Sequence, residues 1–106
     1  MKNLETVYRR RSSRQRIILY LLARGASLAT LENMTSSELA VCSLPADLDV
    51  HRDVVVGSVE TNDKVFSYPS GRAMNHTDFI RIVSQATNSA LGKAMSVKEY
   101  SRWALE

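Results

Sequence analysis

The chain has 106 residues, which suits one domain built on one hydrophobic core. Apolar residues make up 44% and charged residues 24%, a balance that excludes an unfolded or low-complexity chain. The net charge of +3 is uneven: residues 1–24 carry seven basic side chains against Glu5 alone, a net +6, and the remainder carries −3.

Residues 1–12 are highly charged and weakly periodic, and read as a basic N-terminal arm or the start of a helix. Residues 13–106 read as a single globular domain. Ser12 or Ser13 caps a helix in which Ile17, Ile18, Leu21 and Leu22 recur at helical spacing, and Gly25 stops it. Ser27 caps a short helix carrying Leu28, Leu31 and Met34. Thr35-Ser36-Ser37-Glu38 is a capping box that opens another short helix, reaching about Cys42. Pro45 forbids further helix, and residues 44–51 read as loop.

Val54-Val55-Val56 with Val59 suits a strand, Thr61-Asn62-Asp63 a turn, and Val65-Phe66-Ser67-Tyr68 a returning strand. Together these predict a β-hairpin, ended by Pro69-Ser70-Gly71. Asn75, with Asp78 three residues on, caps an amphipathic helix through Phe79, Ile82, Val83, Ala86, Ala90 and Leu91, and Gly92 ends it. Ser96-Val97-Lys98-Glu99 is a second capping box, opening a last helix with Tyr100, Trp103 and Ala104. The expected fold is α+β: a mainly helical small domain with one β-hairpin between helices.

Several chemistries are disfavoured. Cys42 is the only cysteine, so no internal disulfide forms, and it reads as a small buried hydrophobe. With no C-x-x-C pair and with His51 and His76 far apart, no metal site is expected. Asp47, Asp49 and Asp53 do not follow the spacing of a calcium loop. The four glycines never cluster, so no phosphate-cradling loop and no cofactor are expected. The apolar run Ile17–Ala23 is too short to span a bilayer, and no export signal is visible; the expectation is a cytoplasmic protein without membrane contact.

The arginine cluster is the main functional signal. Arg9, Arg10, Arg11, Arg14 and Arg16 crowd guanidinium groups at one helix end, each suited to bidentate phosphate contact. Such a cluster binds DNA or RNA with salt-sensitive affinity and no sequence preference of its own. Lys64 and Arg72, beside the expected hairpin, would extend that surface. The alternative is a protein-interaction module or homo-oligomeric adaptor. Its last helix is too brief to bury Tyr100 and Trp103 unaided, so a partner or a second copy would cover them.

The segment Arg16 to Thr35 resembles the first conserved box of the tyrosine recombinases (phage integrases). In that family an apolar helix runs into a glycine, then an arginine, then a short helix and a leucine before a polar turn. Lys64, Phe66, Ser70-Gly71-Arg72 and the helix after them are similar to the lysine-bearing turn and helix that follow. Ser96 to Trp103 is similar to the second box, which normally reads His-x-x-Arg.

The resemblance covers residues 14–106, about the first half of a recombinase catalytic domain. The chain departs from the family where catalysis resides. Ser27 stands at the first-box arginine, and Lys98 and Ser101 stand at the second-box histidine and arginine. The nucleophilic tyrosine would fall beyond residue 106. Serine cannot replace an arginine's charge at a scissile phosphate. The resemblance therefore implies a shortened, catalytically inactive relative, in which Lys64 alone keeps a family active-site position. The combined expectation is a non-catalytic DNA-binding protein, a regulator or accessory factor of a mobile element.

Overall fold

The run Ile17–Ala23 sets the architecture, because it is apolar on every side of a helix and must be surrounded. The computed structural model describes residues 4–48, 50, 64–68 and 70–106. Among these are six α-helices: α1 (Glu5–Tyr8), α2 (Ser13–Ala23), α3 (Leu28–Asn33), α4 (Ser36–Ala40), α5 (His76–Leu91) and α6 (Val97–Leu105). A single 3₁₀ turn covers Ala46–Leu48. Helix α2 is the centre: Ile17, Ile18, Leu19, Leu22 and Ala23 are all fully buried. Helices α1, α5 and α6 pack around it, and α1 and α3 also lie against α5.

Five of the six starts follow local capping chemistry, and only α1, which begins after Leu4, has no side-chain cap. Ser12 accepts from Gln15 N–H at 3.3 Å and opens α2. Ser27 accepts from Thr30 N–H and opens α3. Three reciprocal capping boxes open α4 (Thr35, Glu38), α5 (Asn75, Asp78) and α6 (Ser96, Glu99). Gly92 takes the left-handed conformation, φ 74°, and ends α5. Helix α4 ends at Ala40, slightly earlier than expected, and Cys42 is half-buried against the core.

Helix α1 is part of the same core, since Leu4 and Val7 are buried with the residues of α2 and α5. Phe79 of α5 meets Phe66 edge-on, with ring centroids 6.1 Å apart. Helix α6 docks on α2 through two side chains that donate to its carbonyls. The Tyr100 hydroxyl reaches Leu19 O at 2.8 Å, and Ser101 reaches Leu22 O at 2.7 Å. Buried Thr87 ties α5 to the start of α6: it donates to Val83 O and accepts from Met95 N–H at 2.9 Å.

The expectation of an α+β domain with a hairpin is corrected: the described residues are helical and form no sheet. The first arm (Val54–Val56 and Val59) and the turn Thr61–Asp63 lie outside the described residues, as do Asp49, His51 and Asp53. Val65–Tyr68 is described and is not a strand. Val65 N–H donates to Met34 O at 3.0 Å, beside an isolated Thr35–Lys64 bridge. Ser67 then pairs with Ala73, and Met74 N–H donates to Phe66 O at 2.9 Å. The segment spends its backbone groups on the α3–α4 junction and on the approach to α5. Three consecutive side chains, Val65, Phe66 and Ser67, are buried, which a hairpin strand with one face in solvent does not allow.

Asp78 is the polar hub at the start of α5. Its buried carboxylate accepts from Asn75 N–H at 2.9 Å, from the Tyr68 hydroxyl at 2.7 Å and from Arg72 at 3.4 Å. The Asn75 amide leads the Tyr68 hydroxyl and the Arg72 charge in holding this carboxyl below its ordinary value, against the opposing effect of burial. The Asp78 hydrogen bond in turn raises the Tyr68 phenol. A carboxyl lowered on folding stabilises the fold above its unfolded value, near 3.8, and loses that contribution as pH falls through the lowered value. Asp78→Asn is therefore expected to lower stability near neutrality and to flatten the loss of stability below about pH 4. Urea midpoints of both proteins near neutrality and in acid measure this. Parallel acid profiles would contradict it.

Candidate nucleic-acid interface

The link between α1 and α2 is four residues long and holds three arginines. Tyr8 O accepts from Arg11 N–H at 3.0 Å, which closes a β-turn over Arg9 and Arg10. Arg9 has φ −58° and ψ 132°, and Arg10 has φ 64°. This is a type II turn, whose third position normally needs glycine. Arg10 is the only positive-φ residue other than glycine among the described residues. An L-residue in the left-handed region costs about 1–2 kcal/mol relative to glycine.

Arg10→Gly relieves that cost and forfeits about 0.5–1 kcal/mol to the greater freedom of the unfolded chain. The net expectation is a gain of up to about 1.5 kcal/mol, read as a melting temperature raised by up to about 12 °C. A lower melting temperature would show that the Arg10 side chain itself holds the turn.

The five clustered arginines divide into three groups. Arg9 and Arg10 are exposed at the corner of the turn. Arg11 and Arg14 flank them and are half-buried. Arg16 points back into the protein: its Nε donates to Arg11 O at 3.2 Å and its Nη1 to Leu48 O at 3.1 Å. Among the described residues, Arg9, Arg10 and Arg11 form no ion pair. The first turn of α2 contains Arg14 and Arg16 and no acidic residue. Basic residues there oppose the positive end of the helix dipole, an arrangement that costs stability and concentrates positive potential.

Lys64 and Arg72 belong to a different group, around the approach to α5. Lys64 is exposed, and its backbone pairs with Thr35. Arg72 stacks on the Tyr68 ring at 4.4 Å and bonds to Asp78, so its guanidinium already has both an aromatic and an anionic partner. His76, the first residue of α5, pairs with Glu32 of α3 and joins the two helices.

The two aromatics of α6 differ sharply. Tyr100 is fully buried, and burial pushes its phenol well up. Its ring lies in the chain's own core, so it offers no surface to a partner. Trp103 is half-buried, with its ring 6.2 Å from that of Tyr100. It lines a shallow open groove of about 410 Å³ with Met95, Lys98, Glu99, Arg102 and Glu106.

Among the described residues no group of His, Cys, Asp and Glu is placed to hold a metal ion. No helix among them is long and apolar enough to cross a membrane. No family model, curated protein or solved structure matches the chain.

The inward role of Arg16 has no local signal in the sequence, because its second acceptor lies 32 residues away. The strained turn has none either: Tyr8-Arg9-Arg10-Arg11 carries no glycine or asparagine to mark a left-handed position, and a type I turn would suit the same residues.

Proposed function

We propose that this chain is a non-catalytic binding protein for nucleic acid, which it grips by the phosphate backbone through the Arg9–Arg11 turn and the adjoining start of α2. The observation that carries this reading is the turn itself. Arginine occupies a glycine position at a cost in stability, and it stands exposed beside Arg9 with no carboxylate partner among the described residues. Strain of this kind is retained where the side chain has work to do. The neighbouring helix end adds positive potential to the same place.

Duplex DNA is the favoured target. Among the described residues Tyr8, Tyr20, Tyr68 and Trp103 are all at least half-buried, and single-strand recognition relies on exposed stacking faces. Contacts of this kind position a duplex and read no sequence. The role of a mobile-element regulator is the finer form of the same proposal, and it draws only on the recombinase resemblance.

The test is a fluorescence-anisotropy titration of a labelled duplex. With two to four phosphates neutralised, affinity falls about 10- to 100-fold between about 50 and 200 mM salt. Absence of binding at low salt, or binding indifferent to salt, refutes the proposal.

A further inference from the structure

We infer that Arg16 is a positioning residue of the polyanion site, which braces the arginine turn from behind and contacts no phosphate; this rests on reading the turn as the binding site. One guanidinium spans two carbonyls that, among the described residues, no helix or sheet ladder satisfies. Nε holds Arg11 O, at the exit of the turn, and Nη1 holds Leu48 O, at the end of the 3₁₀ turn. Arg11 is the residue whose N–H closes the turn on Tyr8 O, so both polar groups of its backbone are engaged.

The left-handed Arg10 lies between these anchors, Tyr8 O on one side and the braced Arg11 on the other. A strained residue persists only where its surroundings over-determine it. Arg16 supplies that constraint, and Leu48, itself buried in the core, gives it a fixed point. The rigid planar fork of arginine reaches both acceptors at once. Lysine is a single point charge on a flexible stem and cannot reproduce the geometry.

Charge and geometry make opposite demands on substitutions. A phosphate ligand at position 16 would tolerate Arg16→Lys and lose about 5- to 10-fold in affinity, with a shallower salt slope, in Arg16→Gln at about 0.1 M salt. A brace predicts that both variants lose duplex affinity to the same extent, while both keep the wild-type salt slope because every contacting arginine remains. Retained affinity in Arg16→Lys would overturn the inference.

Nuclear magnetic resonance of the wild-type chain supplies a second reading that needs no variant to fold. The Arg16 Nε–H signal should be protected from solvent exchange and should stay in place as duplex is added, while the Arg9 and Arg10 signals move. An unprotected or duplex-shifted Arg16 signal would overturn the brace. If the wild type binds no duplex, the polyanion reading fails by itself. The brace is then judged on the free protein, where Arg16→Lys must shift the carbonyl ¹³C signals of both Arg11 and Leu48; unshifted signals refute it.

Discussion

Replacing Arg9 and Arg10 together by alanine is expected to lower affinity for duplex DNA by about 10- to 100-fold at about 0.1 M salt, and to make the salt slope shallower by about 2. Both side chains are exposed and neither forms an ion pair among the described residues, so their removal takes away charge without opening the core. Folding should survive. Loss of a solvated arginine changes stability little, and alanine relieves no left-handed strain at position 10 because it carries a Cβ as arginine does. The Arg9→Lys, Arg10→Lys pair separates charge from shape. It should keep the salt slope, because the number of cations is unchanged, and lose only the share of affinity that depends on bidentate contact. Anisotropy titrations over a salt series read both quantities. An alanine pair that binds like the wild type would place the contacts elsewhere.

Tyr100→Ala is expected to cost about 3–5 kcal/mol, the range for truncating a buried aromatic. That is a large part of the stability of a domain of this size, about 5–15 kcal/mol, and lowers the melting temperature by roughly 12–40 °C. Two losses add. The ring vacates space between α6 and α2, and the hydroxyl bond to Leu19 O at 2.8 Å disappears. Tyr100→Phe isolates the second loss. It keeps the ring and removes the donor, at about 1 kcal/mol, because Leu19 O keeps its place in the α2 ladder. Thermal melts followed by circular dichroism distinguish the two variants. A Tyr100→Ala protein as stable as the wild type would contradict the packing of α6 on α2.

The helices were legible because their signals are local. Ser12, Ser27, Thr35 with Glu38, Asn75 with Asp78, and Ser96 with Glu99 each start a helix where the sequence places a cap. The hairpin was misread because strand pairing is non-local. Val65-Phe66-Ser67-Tyr68 has strand-like residues, but its backbone hydrogen-bond partners are Met34, far back in the chain, and Gly71, Arg72 and Met74 just ahead. The adjacent apolar pair Val65-Phe66 was a usable warning, since two neighbours cannot both face inward from a regular strand.

Tyr100 departs from the expectation for a related reason. A nine-residue helix alone is too short to bury it, but α2 receives it as an apolar cylinder with a carbonyl in reach. The arginine cluster was legible as charge and not as geometry. Five arginines in eight residues announce a positive field. Only the fold shows that Arg9 and Arg10 face solvent while Arg16 turns inward.

On the proposed function, the positive turn between α1 and α2 meets a polyanion directly. A ¹⁵N chemical-shift titration of the whole chain with a short DNA duplex at low salt tests it most directly. The largest changes are expected on Tyr8 to Gln15 and should disappear as salt is added. Changes centred on Trp103 and α6, or no change at all, would contradict it.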